Sequence, residues 1–373
     1  MTQVFLCGPL ADAGFRAAAL GADVPGAAAT LQGAALVGDA TRPRLLPRSG
    51  AEVMGIVARV DPEQLSRLRF WMVDLPGRLE PLDTGATLVW WGDGGVGAPH
   101  GPAPDWNARD WNARDWETRW RATAIAAVPD VMMLKGECPA AQVFARWSQI
   151  LTRAGGRVRA ATPGPVTLRH DAKPGDVLVE RTAQPYAHFF AVEEYELRFR
   201  RFDGSLSNRL NRAAFISGDA VVVLPYDPIR DRVLLIEQFR AGAFGRGDPQ
   251  PWLIEGIAGR IDGGETPESS ARREAVEEAG LTLGALHKVA DYYPSPGAKT
   301  EYIYSFIGLC DLPDTEERLG GLPGEGEDIR SHILPFARLM DLVARNEVTN
   351  APLILCAYWL SAHRDRLRKA AGA

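Results

Sequence analysis

Apolar and polar positions in the second half of the chain follow two different periods. DAVVVLPYDPIRDRVLLIEQF contains two apolar runs of strand length separated by a turn rich in Pro and Asp, and EYIYSFIGLC is a further apolar run. A charged helical pattern lies between them, and two helical patterns follow. Strands on both sides of a helix, with more helix at the end, predict an α/β or α+β sandwich.

The first half of the chain has weaker patterns. QVFLCGPL predicts a strand that runs into a Gly-Pro turn, and EVMGIVARV predicts a second strand. DPEQLSRLRFW predicts a helix with Asp61 as its cap and Pro62 in its first turn. These elements indicate a separate domain.

A five-residue repeat, DWNARDWNARDW, places Trp106, Trp111 and Trp116 at a spacing that fits neither a helical face nor a strand. Evenly spaced tryptophans can stack on nucleic-acid bases. A local duplication that packs near a domain surface is the favoured interpretation.

The amino-acid composition of the chain changes between the two halves. RAGGRVRAATPGPVTLRHDAKPGD is rich in Gly, Pro and Arg, which is typical of a linker. We therefore predict a first domain at 1–150, a linker at 151–184 and a second domain at 185–373.

Composition narrows the class of protein. With 373 residues and a net charge of −5, the chain has no broad basic field of the kind that nucleic-acid binding needs. The four cysteines lie far apart without a CxxC spacing, which argues against a zinc site or a disulfide framework. The N-terminus has no signal-peptide pattern, and APLILCAYWLSAH is too short to span a bilayer. The sequence predicts a cytoplasmic protein with no nucleic-acid or membrane partner.

The charged helical pattern, GRIDGGETPESSARREAVEEAGL, carries the candidate chemistry. Glu274 and Glu278 are four residues apart, so a helix places both carboxylates on one face, with Glu277 beside them. Their repulsion is offset if they bind a divalent cation such as Mg²⁺, which prefers oxygen ligands. Arg273 can pair with Glu277, and Gly280 is a suitable helix end.

The full pattern resembles the signature of the Nudix hydrolases. Its slots are filled by Gly259, Glu265, Arg273, Glu274, Ala275, Glu277, Glu278, Gly280 and Leu281. The resemblance implies an α/β/α sandwich and hydrolysis of a nucleoside diphosphate linked to another group. It also implies a divalent metal, Mg²⁺ or Mn²⁺, which lowers the pKa of a bound water and neutralises charge on the phosphates.

Three flanking motifs are similar to the ADP-ribose pyrophosphatase subfamily: LIEQFR, IEGIAGRI and YYPSPG. In that subfamily a proline stands fifteen residues beyond the signature, and Pro296 stands fifteen residues beyond Leu281. The resemblance implies ADP-ribose as substrate, with AMP and ribose 5-phosphate as products, and a homodimer. It assigns metal binding to the Ala258 carbonyl, Glu274 and Glu278, support to Arg273 and Glu277, and substrate contacts to Arg240, Gly259 and Pro296.

A glycine-rich acidic segment, GGLPGEGEDIR, follows the last apolar run. A flexible acidic loop can deliver a general base to a water molecule at the site. By resemblance to the subfamily, Glu325 is expected to act as the base and Glu327 as a metal ligand; the opposite assignment stays open.

The first half resembles the γ-glutamylcyclotransferase-like family, which has a mixed β-barrel. The turn that reads YGTL in that family reads LCGPL here, and Met72 stands where the family has a catalytic glutamate. Because methionine cannot transfer a proton, a scaffold, dimerisation or ligand-sensing role is expected instead of catalysis. Fusions of these two domains are similar to proteins named for tellurite resistance.

Two alternatives to ADP-ribose hydrolysis remain. The substrate could be another nucleoside diphosphate derivative, such as NADH, a nucleotide sugar or an oxidised nucleotide. The protein could also be a sensor that binds ADP-ribose or a γ-glutamyl compound without turnover. The complete signature argues against a sensor, since binding alone does not need the full metal constellation.

Overall fold

The structure, a computed structural model, describes residues 1–73, 77–82, 85–90, 109–314, 317–320 and 328–373. The chain forms two compact units, Met1–Gly164 and Pro165–Ala373. Both contain sheets and helices, so the chain is α+β.

The first unit contains a five-stranded sheet in the order β2-β3-β1-β5-β4. Its strands are β1 (Thr2–Cys7), β2 (Gly26–Val37), β3 (Arg44–Val60), β4 (Arg78–Leu82) and β5 (Gly85–Val89). Its helices are α1 (Ala13–Leu20), α2 (Pro62–Trp71), α3 (Ala113–Asp115), α4 (Arg121–Met133), α5 (Ala140–Phe144) and α6 (Trp147–Ala160). Strands β1 and β5 are parallel and the other pairs are antiparallel, so the sheet is mixed.

Aromatic side chains build much of the core of the first unit. Helix α2 starts at the expected cap, where Asp61 accepts a hydrogen bond from the Gln64 backbone. At its other end, Trp71 makes edge contacts with Phe15, Phe144 and Trp147, with ring centroids 5.2, 5.2 and 5.5 Å away. Trp71 thus joins helix α2 to helices α1, α5 and α6.

The tryptophan repeat contributes to this core. Trp116 is only 4% exposed and packs edge-on against Phe15, while the Trp111 indole donates a hydrogen bond to the Ala40 carbonyl at 2.9 Å. Trp106 lies outside the described residues. At Trp116 the repeat therefore packs in the core and not near the surface.

The expected linker at 151–184 is shorter in the structure. Helix α6 continues to Ala160 and strand β6 begins at Val177, so only residues 161–176 lack helix or strand. The helix persists through the Gly-rich stretch because Ile150, Leu151 and Ala154 are buried in the core of the first unit. Tertiary packing has overridden the low helix propensity of glycine.

The second unit contains a three-stranded sheet, β6-β7-β8, and an eight-stranded sheet. The strands are β6 (Val177–Ala187), β7 (Ala191–Phe199), β8 (Leu210–Ile216), β9 (Ala220–Asp227), β10 (Arg232–Phe239), β11 (Trp252–Glu255), β12 (Ile257–Arg260), β13 (Leu286–Tyr292), β14 (Ile303–Leu309), β15 (Glu317–Gly320) and β16 (Ile329–Pro335). The helices are α7 (Ala241–Arg246), α8 (Pro267–Ala279), α9 (Phe336–Ala344) and α10 (Ala351–Ala370).

The eight-stranded sheet is buried on both faces. Its main path is β13-β14-β9-β10-β16-β15, with β11 beside β10 and β12 beside β9. In β9, Val221 and Val223 pack in the cluster that contains Ala271 of α8, and the alternate residues Val222 and Leu224 pack in the cluster of α9 and α10. Helices on both faces of one sheet make the α/β/α sandwich that the sequence predicts.

Helix α10 packs through one face. Leu353, Cys356, Ala357 and Leu360 are fully buried, at the spacing of a helical stripe. Among the described residues, no helix combines the length and the apolar character that a membrane crossing needs.

Candidate active site

Helix α8 is well defined at both ends. At the start of the helix, the Thr266 hydroxyl accepts a hydrogen bond from the Ser269 backbone N–H, and the Ser269 hydroxyl accepts one from the Thr266 backbone N–H. At the other end, Gly280 terminates the helix in a left-handed conformation with φ 63°. Ala271 and Ala275 are fully buried against the sheet. Their small side chains let the helix lie close to β12, which explains why alanine serves in the apolar slot of the signature.

Two carboxylates of α8 are enclosed beside β12. Glu274 is 9% exposed and Glu278 is 3% exposed. The Ala258 backbone N–H donates to Glu278 Oε2 at 3.2 Å. A Cβ at Gly259 would lie 1.9 Å from Glu274 Oε1, so only glycine leaves room for that carboxylate. The structure thus brings together four of the predicted site residues: Ala258, Gly259, Glu274 and Glu278.

Arg273 links Glu274 to two further acidic groups of the site, Glu265 and Glu277. Its Nη1 donates to Glu274 Oε1 at 2.7 Å and to Glu277 Oε2 at 2.8 Å. Its Nε and Nη2 form a two-point contact with Glu265 at 2.9 and 3.0 Å. Nη2 also donates to the Arg260 carbonyl at 3.0 Å. One guanidinium therefore fixes three carboxylates of the signature and one strand of the sheet.

The electrostatics of the cluster follow from these contacts. Burial pushes the pKa of Glu265 upward, but hydrogen bonds from Arg273 and Ser270 outweigh it and hold the pKa below the usual value. The pKa of Asp262 is raised, first by burial and then by the charges of Glu265 and Glu277, against the effect of Arg273. The acidic groups near Arg273 exceed its single positive charge, which favours a bound cation.

Glu274 and Glu278, with the Ala258 carbonyl, offer the hard oxygen donors that a divalent cation prefers. The described residues contain no group of three His, Cys, Asp or Glu side chains placed to hold a metal ion. Glu325 and Glu327, the expected base and further metal ligand, lie outside the described residues.

Gly320, the first residue of that acidic segment and the last one described before residue 328, lies against α8. A Cβ at Gly320 would be 2.2 Å from the Glu278 carbonyl oxygen. The first residue of the acidic segment therefore lies beside the backbone near the C-terminal end of α8.

Arg240, predicted to contact the diphosphate, is held by a buried acid that sequence reasoning missed. Its Nε and Nη2 donate to Glu255 Oε2 at 3.0 and 2.6 Å. The other Glu255 oxygen accepts from Asn350, the cap of α10, at 3.1 Å. Glu255 is 4% exposed, so it fixes Arg240 in place.

Pro296 lies in an exposed turn between β13 and β14, where the Ala298 N–H donates to the Ser295 carbonyl at 3.0 Å. Among the described residues, no hydrogen bond links Pro296 to the carboxylates of α8.

The role of Glu265 was also missed, although its slot in the signature was a usable signal. No comparable local signal marks Glu255, because Asn350 lies 95 residues further along the chain.

Comparisons with known proteins agree with this geometry. The NUDIX domain family matches residues 217–354, within the second unit. The chain is 38% identical over 183 residues to the ADP-ribose pyrophosphatase of Escherichia coli strain K12, covering 49% of this chain and 87% of that protein. It is 32% identical over 196 residues to the ADP-ribose pyrophosphatase of Haemophilus influenzae, covering 52% and 89%.

A relative with a different substrate in its name is also similar. The GDP-mannose pyrophosphatase of Salmonella choleraesuis is 32% identical over 173 residues, which covers 46% of this chain and 88% of that protein.

Proposed function

The chain belongs to the Nudix family, and from that premise we propose that its second unit hydrolyses the pyrophosphate of ADP-ribose to AMP and ribose 5-phosphate. The observation that carries the proposal is the enclosure of Glu274 and Glu278 beside Ala258 and Gly259. The relatives named ADP-ribose pyrophosphatase support the choice of substrate.

Nudix hydrolases use divalent metal ions, and we propose Mg²⁺ here. Glu274, Glu278 and the Ala258 carbonyl would hold it, with Glu327 as a further ligand. When bound, the metal would neutralise phosphate charge and activate water. The donors are all oxygens, which suits Mg²⁺ better than a softer ion.

The residues of the chain have separate tasks in this proposal. Arg273 keeps the carboxylates of Glu274 and Glu277 in fixed orientations through its hydrogen bonds. Arg240, fixed by Glu255, would contact the diphosphate. Glu325 would accept the proton of the attacking water, whose oxygen then forms the new bond to phosphorus as the pyrophosphate bond breaks.

Three further parts of the proposal concern the whole protein. The first unit is proposed to be a γ-glutamylcyclotransferase-like module without its catalytic acid, and the chain to act as a homodimer in the cytoplasm. A connection to tellurite resistance stays a prediction from resemblance.

GDP-mannose is the second candidate substrate, because a relative with that substrate in its name is 32% identical to this chain. Both candidates use the same pyrophosphate chemistry and differ in the base and the sugar.

The test is nucleotide release from the full chain. ADP-ribose and GDP-mannose are supplied separately with Mg²⁺ or with EDTA, and AMP and GMP are quantified by chromatography. We expect AMP release that requires Mg²⁺ and falls about a hundredfold or more in Glu278→Gln, a loss of roughly 3 kcal/mol of transition-state stabilisation. Glu268→Gln, at an exposed position of the same helix, is the matched control and should retain activity.

Release of GMP without AMP would contradict ADP-ribose as the substrate and favour GDP-mannose. Cleavage of neither substrate in the presence of Mg²⁺ would contradict both and favour a binding role.

A further inference from the structure

Strand β12 carries a single charged side chain, that of Arg260, and it follows directly after Gly259 of the candidate active site. Side chains alternate along a strand, so Arg260 lies on the face of β12 opposite to the one that Glu274 occupies at Gly259. The Arg260 carbonyl accepts a hydrogen bond from Arg273 at 3.0 Å. The backbone of Arg260 is therefore fixed to the cluster of α8, while its side chain projects away from that helix.

Two aromatic rings hold the Arg260 guanidinium. Its Cζ atom lies 4.2 Å from the centre of the Phe189 ring and 4.9 Å from the centre of the Phe190 ring. Both phenylalanines stand in the turn that joins β6 to β7. Contact with a ring face fixes the plane of a guanidinium and leaves the N–H groups in that plane available as donors. The β6–β7 turn thus orients a set of hydrogen-bond donors beside the site.

These donors are accessible to a ligand. The Arg260 side chain is partly exposed. Among the described residues, Glu301 and Asp262 act on Arg260 through their charges, and neither forms a hydrogen bond with it. Since those two acids reach Arg260 only through space, its N–H groups can form a direct contact with another anion.

Arg240, the other arginine proposed to contact substrate, is in a different situation. Its Nε and Nη2 both donate to the buried carboxylate of Glu255, which compensates much of its charge. Helix α8 closes one face of β12 at Glu274, so a substrate that approaches the enclosed carboxylates meets the open face, where Arg260 lies. A diphosphate bound there needs positive charge beyond that of the metal and Arg240.

We propose that Arg260 is a further substrate-binding residue that contacts a phosphate oxygen of the nucleoside diphosphate, and that Phe189 and Phe190 are positioning residues for its guanidinium. This inference rests on the proposed function, because it needs a substrate with a pyrophosphate. A planar guanidinium can meet two phosphate oxygens at once. The charge of the diphosphate is present before and during the reaction, so the contact acts mainly on substrate binding and therefore on KM.

Steady-state hydrolysis of ADP-ribose by the full chain with Mg²⁺ tests the proposal. Arg260→Met keeps an unbranched side chain and removes the charge, so KM should rise about tenfold while kcat changes less than about threefold. Arg260→Lys should recover part of the loss. The KM of the wild type should rise more steeply with NaCl than the KM of Arg260→Met, because salt screens a charge contact.

Arg338→Met, at an exposed position of α9, is the matched control and should keep the wild-type constants. An unchanged KM in Arg260→Met, or an equal loss in Arg260→Met and Arg260→Lys, would overturn the proposal.

Binding of α,β-methylene ADP-ribose separates this inference from the proposed function, because a CH₂ group replaces the bridging oxygen and the analogue is not cleaved. In calorimetric titration with Mg²⁺, the wild type should bind the analogue about tenfold more tightly than Arg260→Met. Absence of AMP release by the wild type would contradict the proposed function, and this difference in binding would still support the Arg260 contact. Equal binding of the analogue by both proteins would overturn the contact, whatever the wild type hydrolyses.

A second variant covers the case in which Arg260→Met does not fold. Phe189 is 57% exposed, so Phe189→Leu should fold and lose a ring face that holds the guanidinium, which should raise KM about threefold. Where Arg260→Met folds, adding Phe189→Leu to it should have no further effect, since the ring acts through Arg260. Phe202→Leu, at a fully solvated position, is the control. A wild-type KM in Phe189→Leu, or additive effects of the two substitutions, would contradict the proposal.

Discussion

The enclosed charged side chains of the two units have opposite surroundings. In the second unit, one guanidinium, Arg273, is surrounded by the carboxylates of Glu265, Glu274 and Glu277. In the first unit, the Arg42 guanidinium lies over the Phe144 ring, and the described residues that line the neighbouring cavity include two arginines and no acid. An excess of negative charge favours a cation and an excess of positive charge favours an anion. Among the described residues, the two units therefore differ in the sign of the charge that their side chains leave uncompensated.

The largest expected effect concerns the independence of the two cores. Trp71→Ala removes a side chain that contacts three aromatic rings in the first unit, and should cost about 3–5 kcal/mol of unfolding free energy. ADP-ribose hydrolysis should continue, because the proposed catalytic residues pack in the second unit. Denaturant unfolding and AMP release measure the two effects.

Trp252→Ala is the control for that experiment, since Trp252 is 55% exposed and should cost far less stability. Loss of hydrolysis in Trp71→Ala under conditions where the variant is folded would contradict the independence of the two cores.

The next effect concerns the close approach of β12 to α8. Gly259→Ala should lower kcat by about tenfold or more, because the new Cβ displaces the Glu274 carboxylate from its position. The melting temperature should change little, since the displaced group is the flexible end of a side chain. Gly245→Ala, where a Cβ meets open space, is the matched control. Equal activity of both variants would show that Glu274 does not need its observed position.

A smaller effect is expected at the Arg240 contact. Glu255→Gln removes the charge that holds Arg240 and the cap of α10, so KM for ADP-ribose should rise by about fivefold with a smaller change in kcat. Steady-state kinetics give both constants, and Glu194→Gln, at an exposed position of β7, is the control. A drop in kcat at constant KM would instead indicate that Arg240 acts on the transition state.

The smallest effect is a pH dependence of stability. The folded-state pKa of Glu265 is lowered, so its contact with Arg273 stabilises the protein above the ordinary carboxyl pKa of about 4.3 and loses that contribution as pH falls through the lowered value. Glu265→Gln should therefore cost about 1 kcal/mol at pH 7 and less at acidic pH. Chemical unfolding across pH 3 to 7 measures this, with Glu268→Gln as the control. A cost that stays constant over this range would exclude the ionised contact as its cause.

Much of the second unit could be predicted because its signals are local. The apolar runs of β9, β10 and β14 match the observed strands, and the four-residue spacing of Arg273 and Glu277 matches their observed hydrogen bond. The prediction was less accurate for α6, where the Gly-rich composition suggested a linker. The burial of Ile150 and Leu151 outweighs that composition, and local propensity does not contain this information.

The sequence by itself determined the α+β class, the signature helix, and the acidic character of the candidate site. Those properties depend on periodicity and on residues within a few turns of one another. Only the tertiary structure decided that Glu255 joins Arg240 to Asn350, that Gly259 makes room for Glu274, and that Arg42 lines a cavity whose described lining residues include no acid. These depend on which distant segments meet when the sheets and helices pack, because burial sets both the space around a side chain and the strength of its charge interactions.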